Sequence, residues 1–302
     1  MVGSPLRYPG GKSRAVGRIL ERFPANFDAF REPFVGGGSV FIAVRQRFPN
    51  ARVWINDLNA DLVAFWTMAR DENAPLIRDL RLIRGLVNDG WLLFEFWRGY
   101  APVDAFERAL RFFVLNRISF SGTTDSGGYS SHAFQSRFTD SSIERVARLE
   151  GLLEGVKITN LDFEGVLLEP GEDVFAFLDP PYAAVEGSRL YGKSGDLHAG
   201  FDHTRLARTV HGLPYPWLMT YDDSSQIRTL YADHQLEAWQ LQYGMNNVGG
   251  ERAARGREVF VSNLPSMTPR PQSLARTAHR KSASVQLFDD DATPVGHPAP
   301  RL

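Results

Sequence analysis

Five consecutive apolar residues, Val174–Leu178, run straight into Asp179-Pro180-Pro181-Tyr182. A run with no polar position reads as a strand buried on both faces, which is how the central strands of helix-covered parallel sheets are built. The tetrapeptide then stands at the carboxyl end of that strand, where open α/β sheets hold their ligands. Further extended apolar segments are read at Asp28–Glu32, Arg52–Asn56, Lys157–Asn160, Trp217–Tyr221, Leu236–Leu241 and Glu258–Asn263. With Val174–Asp179 they make seven strands. Helical patterns fall between them: Ser39–Arg47, a segment capped by Asp202 and running through His211, and one capped by Ser224 or Ser225 and running through Tyr231. Alternation of this kind predicts an α/β fold.

One stretch interrupts the alternation. Residues 71–153 carry helical, Arg-rich patterns with hardly any strand signal. Asp104 with Glu107 resembles a capping box ahead of a helix over Ala105–Ile118, with Phe106, Ala109, Leu110, Phe113 and Leu115 facing inward. Ser141 with Glu144 suggests a second. Between them Ser119–Arg137, rich in Ser, Gly and Thr, reads as a long loop or hairpin. The aromatic group Trp91, Phe94, Trp97 and Tyr100 is expected in the core of this helical insert. The division expected is therefore 1–70 with 154–264 as the α/β domain, 71–153 as the insert, and 265–302 as a disordered Pro-, Ser- and Arg-rich tail.

Composition narrows the chemistry. The 302 residues contain no cysteine, which removes disulfides, thiolate nucleophiles and cysteine-based metal sites. The seven histidines show no ligand spacing, so no metal site is expected. No apolar run reaches the roughly 18–20 residues of a membrane span. Pro9, Gly10 and Gly11 break the N-terminal segment before a signal peptide could form, so the cytoplasm is the expected compartment. The net charge of −1 excludes a simple polycation. Only local basic clusters can then speak for nucleic acid: Arg117 and Arg137 flanking the long loop, and Arg252, Arg255 and Arg257 in a Gly-bearing segment suited to phosphates.

Four motifs carry chemistry. In Asp179–Tyr182 the two prolines remove backbone donors and preset the chain direction. A carboxylate, a carbonyl and an aromatic ring are left to receive a planar amine. Glu32-Pro33-Phe34-Val35-Gly36-Gly37-Gly38-Ser39 joins a strand to a helix through glycines that allow close backbone approach to a ligand. By itself it would suit a dinucleotide, another nucleotide or nothing, and the third glycine of the dinucleotide fingerprint is missing, with Phe41 in its place. Asp57 closes the next strand, where it could accept from ribose hydroxyls or merely cap a helix. Tyr8-Pro9-Gly10-Gly11-Lys12-Ser13 is not a P-loop: the required first glycine falls at Leu6 and no strand precedes it.

In this order the four motifs resemble the Dam-like, alpha-group family of DNA adenine-N6 methyltransferases, over Leu6 to about Asn263. The resemblance implies a seven-stranded, mostly parallel, Rossmann-like methyltransferase sheet with an inserted helical target-recognition domain. It implies S-adenosyl-L-methionine as cofactor, held by Tyr8, Lys12, Phe34, Gly36, Gly38, Ser39, Asp57 and Asp179. Asp162 would receive the cofactor's adenine amine, and Phe163 would pack on its ring. Asp179, Pro180, Pro181 and Tyr182 would act on an adenine flipped out of double-stranded DNA. Asn116-Arg117 followed by Ser119–Gly122 is similar to the family's Asn-Arg…aromatic-Asn-Gly pattern, with Ser121 where Asn is common. The loop after it does not match relatives that read GATC. The chain is expected to act as a monomer, pairing at most transiently on DNA. The readings weighed against this are methylation of cytosine N4 or another amine, and a DNA-binding, cofactor-sensing module without turnover.

Overall fold

The structure, a computed structural model, describes residues 2–124, 127–182, 200–241 and 256–265. Seven strands form one sheet: β1 (Ala29–Glu32), β2 (Arg52–Asn56), β3 (Lys157–Thr159), β4 (Val174–Leu178), β5 (Trp217–Asp222), β6 (Gln235–Leu241) and β7 (Gly256–Ser262). Their order is β3-β2-β1-β4-β5-β7-β6. The first five are parallel, and β7 runs antiparallel between β5 and β6. All seven expected strands are present, with ends shifted by no more than two residues. The order reverses at β1 and β4: from β1 the chain moves outward to β2 and β3, then returns to lay β4 on the other side. A crevice opens at the carboxyl ends of such a pair.

β4 is buried at every position. Phe175 and Phe177 face one layer, with Phe23, Phe27 and Phe30, the rings of Phe23 and Phe175 lying 4.6 Å apart. Val174, Ala176 and Leu178 face the other, with Leu206, Val210, Trp217 and Met219. That two-sided burial is why the strand is apolar throughout.

Helix α1 (Val16–Leu20) packs on α2 (Ser39–Arg47), and α3 (Ala60–Asp71) follows β2. The helical segment continues as α4 (Asn73–Leu86), α5 (Gly90–Gly99), α6 (Ala105–Ile118), α7 (Ser131–Arg137) and α8 (Asp140–Ala147). Asp104 accepts from the Glu107 amide as expected, but the Glu107 carboxylate turns to Tyr100 and the Val103 amide, so the box is not reciprocal. The cap of α8 is Thr139 with Ser142, not Ser141 with Glu144; Thr139 and Ser142 exchange both bonds of a capping box.

Every residue of α6 from Ala109 to Ile118 is buried. Phe113 stacks on Phe65 of α3 at 5.6 Å, and Asp61 of α3 receives both Arg108 and Arg111. These helices thus share their core with the layer that covers the sheet. Phe94 and Trp97 are buried and Tyr100 partly so. Trp91 is half exposed, because it sits in the first turn of α5 beside the cap Asp89. After β3 come α9 (Phe163–Leu167), α10 (His203–His211), capped by Asp202, and α11 (Ser225–Leu230), capped by Ser224. No helix among the described residues is long and apolar enough to cross a membrane. The tail from Ser266 lies outside the described residues.

Candidate active site

The crevice between β1 and β4 is a cavity of about 710 Å³. Segments distant in sequence converge on it: Tyr8–Lys12, Glu32–Val40, Asn56–Leu58, Leu161–Phe163 and Asp179–Tyr182. Every residue expected to hold cofactor or perform chemistry therefore borders one space.

The glycine turn is shaped by sterics. Gly36 and Gly38 have φ of +46° and +71°, a region costly for other residues. A Cβ at Gly36 would stand 2.9 Å from the Tyr8 ring, and one at Gly38 2.4 Å from Phe41 and 2.5 Å from Trp66. Tyr8 thus lies directly against the turn, and Trp66 Nε1 donates to the Gly36 carbonyl. Phe34 is partly buried and tilts against Phe163 at 5.8 Å, with Phe201 meeting both rings. Ser39 opens α2 at the cavity wall.

Asp57 is not the cap of α3; Asn59 is. The Asp57 carboxylate accepts the amides of Gly36 and Asn59, both at 3.0 Å. Burial outweighs these bonds and pushes its pKa up to about 6. Asn56, 1% exposed, fastens the neighbouring segments. It donates to the carbonyls of Pro33 and Leu161 and accepts from Thr159 and the Leu161 amide.

Also lining the cavity, Lys12 Nζ lies 2.8 Å from Asp179 Oδ1, with the Lys12 side chain 3% exposed. It also donates to the Gly10 carbonyl and sits 4.8 Å over the Tyr182 ring. Thr220 of β5 donates to the same Asp179 oxygen at 2.8 Å. Asp162 caps α9 through the Glu164 amide, and the same oxygen pairs with Arg205, whose guanidinium covers the Phe163 ring at 4.4 Å.

Three wall residues, Glu32, Arg205 and Phe201, and the Asp179 partner Thr220 were not singled out individually from the sequence. Glu32 is 2% exposed with Oε2 unpaired among the described residues. Burial first, then the charge of Asp179, pushes its carboxyl well above the usual range. Its position at the end of β1 was the available signal. Thr220 was marked by being polar inside an apolar strand. Arg205 and Phe201 lie on or just before α10 and had no signal.

The expected DNA contacts fall into three groups. Asn116 is fully buried and clamps the N-terminal loop, exchanging bonds with the Arg7 backbone and donating to the Gly122 carbonyl. Arg117 is 2% exposed, so neither residue is presented at the surface. Burial, with Arg145, Arg7 and Arg137 close by, pulls Arg117 down to about 9, and its Nε has no partner among the described residues. Arg137 is exposed at the end of α7, and exposed Arg257 lines the cavity. Arg252 and Arg255 lie outside the described residues. Among the described residues no three His, Asp or Glu side chains are grouped to hold a metal.

A family model for D12 class N6 adenine-specific DNA methyltransferases matches residues 8–245. Among curated proteins, the type II methyltransferase M.MjaIII of Methanocaldococcus jannaschii is 28% identical over 59% of this chain and 68% of its own length. M.CviBI of Paramecium bursaria Chlorella virus NC1A is 25% identical over 79% and 90%. M1.LlaDCHI of Lactococcus lactis subsp. cremoris is 25% identical over 85% and 94%. The match spans Tyr8–Lys12, Glu32–Val40, Asn56–Leu58, Leu161–Phe163 and Asp179–Tyr182, and the chain belongs to the D12 class of N6 adenine-specific DNA methyltransferases.

Proposed function

We propose that this cavity takes S-adenosyl-L-methionine against the glycine turn and an extruded adenine against Asp179–Tyr182, so that the chain methylates adenine N6 within double-stranded DNA. The observation that carries the reading is the single cavity bordered by both the glycine turn with Asp57 and the Asp179–Tyr182 tetrapeptide. The donor set fits the cofactor. A turn stripped of side chains admits a close-lying ligand, Asp57 offers a carboxylate to ribose hydroxyls, and Phe34, Phe163 and Phe201 form an aromatic wall for a base. Bound there, S-adenosyl-L-methionine supplies an electrophilic methyl group on a sulfonium.

The chain's own residues do the rest by alignment and electrostatics. The Tyr182 ring stacks on the extruded base. Asp179 and the Pro180 carbonyl accept the two N6 hydrogens, drawing the nitrogen lone pair out of conjugation and stabilising positive charge that develops there. Lys12 keeps Asp179 paired while the base is absent.

We assign residues 71–153 to target recognition. Arg7, Arg117, Arg137 and Arg145 gather there as a graded basic cluster from interior to surface, suited to phosphates. Asn116 holds the cluster against the N-terminal loop. Arg252, Arg255 and Arg257 form the second basic segment, and the chain acts as a monomer.

The test is transfer of labelled methyl to plasmid DNA followed by nucleoside analysis. N6-methyladenine from the wild type, with a loss of at least about 10²-fold in Asp179→Ala, supports the reading. Label in N4-methylcytosine, or turnover unchanged in Asp179→Ala, overturns it.

A further inference from the structure

We propose that Thr220 is a positioning residue for methyl transfer: with Lys12 it pins Asp179 Oδ1, so that Oδ2 alone is presented to the N6 amine. The inference rests on the reading of the cavity given above.

Among the described residues, both partners of the Asp179 carboxylate meet the same atom. Lys12 Nζ and Thr220 Oγ1 each lie 2.8 Å from Oδ1. The Asp179 side chain is 20% exposed and borders the cavity, and no donor among the described residues meets Oδ2. One oxygen is held by the protein, on a residue that lines the cavity, which leaves the other for the incoming amine.

This division matters because an aspartate has no strong preference of its own. The terminal torsion of a carboxylate is broad and roughly two-fold, so external bonds must set its plane. Lys12 is poorly suited to set it alone. It reaches Asp179 on a four-carbon stem and is shared with the Gly10 carbonyl and the Tyr182 ring. Thr220 is the stiff partner. It is fully buried, it is β-branched, and it sits on β5, whose pairing Leu178↔Met219 brings the next residues, Asp179 and Thr220, side by side. Lys12 supplies charge and Thr220 supplies direction. An acceptor aimed in advance is what a transition state with growing charge on nitrogen rewards, whereas ground-state binding gains little from it.

The experiment compares Thr220→Val, which keeps shape and removes the donor, with Thr220→Ser, which keeps the donor. Single-turnover methylation of a duplex is measured together with cofactor and DNA affinities by titration. Expected for Thr220→Val is a single-turnover rate about tenfold lower or more, with both affinities within about twofold of wild type. Thr220→Ser should lie within about threefold of the wild-type rate. If the valine protein does not accumulate folded, Thr220→Cys, with its weak donor, carries the same comparison. A Thr220→Val rate equal to wild type, a Thr220→Ser rate as low as that of valine, or a loss that follows cofactor affinity instead of rate overturns the inference while leaving the cavity's reading intact. A wild-type chain that transfers no methyl to adenine overturns both.

Discussion

Lys12 and Asp179, 167 positions apart, form an ion pair of 2.8 Å in the wall of the cavity, with the Lys12 side chain 3% exposed. The pair joins the N-terminal loop to the end of β4, so the first motif of the chain and the last complete a single site. Replacing Lys12 by Met keeps the stem and removes the charge. A lost charge-assisted bond on this scale amounts to about 1.5–3 kcal/mol, and turnover should fall about tenfold to a hundredfold. Measuring kcat for Lys12→Met against wild type decides it. A variant that matches wild type in kcat would show that Thr220 alone suffices to hold Asp179.

Asn56 ties β2 to the glycine loop and to the loop after β3 through four hydrogen bonds. It is fully buried, so truncation strands several polar groups without water. Asn56→Ala should lower stability by about 2–4 kcal/mol, several times the cost of one ordinary bond. It should also weaken cofactor binding, because Phe34, Asp57 and Phe163 would lose their common anchor. Denaturant melts and cofactor titration of the one variant test both. A melt unchanged from wild type would mean that the loops are held by other contacts.

Gly38 needs its lack of a side chain twice over: φ is +71°, and a Cβ would meet Phe41 at 2.4 Å and Trp66 at 2.5 Å. Both rings are buried and packed edge to face, so neither can retreat cheaply. Gly38→Ala should cost about 2–4 kcal/mol from overpacking and left-handed strain together. Gly165, whose Cβ would meet only Leu161 at 3.6 Å, is the control, and Gly165→Ala should be close to neutral or slightly stabilising. Equal melting temperatures for the two variants would contradict the steric account.

The sheet was legible because each strand is punctuated. β4 is apolar throughout and stops at a double proline, and β1 stops at a proline followed by three glycines. Capping residues likewise announced α10 and α11. Three of the four motifs announced the cavity because each lies at the end of a strand; Tyr8–Ser13, ahead of the first strand, was marked by its own glycines and lysine. Two features were hidden for a physical reason. Asn116 and Arg117 are polar, and local sequence gives no sign that α6 is buried all round. That burial comes from α3, α5 and α7 closing on it. Partners are also invisible when they come from elsewhere in the chain, as Arg205 does for Asp162 and Thr220 for Asp179.

Asp57 sets a pH dependence. Burial raises its carboxyl to about 6 in the protein without cofactor, above the ordinary 3.8. A carboxyl raised on folding favours the folded state fully below the ordinary value, and that contribution is lost as pH rises through about 6. Between pH 7 and pH 5 this group therefore adds stability as acid is added. Cofactor binding should run the opposite way, since ribose hydroxyls donate best to the ionised form. Affinity should drop as pH falls below about 6, while Asp57→Asn should bind weakly with little pH dependence in that window. Calorimetry from pH 5 to 8 reads both. An affinity flat across pH 6 in the wild type would remove the Asp57 charge from cofactor recognition.

Arg117 sits where an unliganded protein would not choose a cation. It is 2% exposed, Arg145, Arg7 and Arg137 are its charged neighbours, and its Nε has no partner among the described residues. A buried charge surrounded by like charges costs stability unless an anion arrives. Replacing it by Met, of similar length and without charge, should therefore raise the melting temperature of the free protein while weakening its hold on DNA. Exposed Arg137 should behave differently. Arg137→Ala should leave the melt within a degree or two, as for most surface substitutions. If it touches a phosphate, it should reduce the slope of log affinity against log salt by about one, uniformly across sequences. The two variants thus separate a charge that the fold bears at a cost from one that it displays freely. A lower melting temperature for Arg117→Met would show that the guanidinium stabilises the free protein through its packing on Phe113, 5.6 Å away, and the burial would then need no polyanion to account for it.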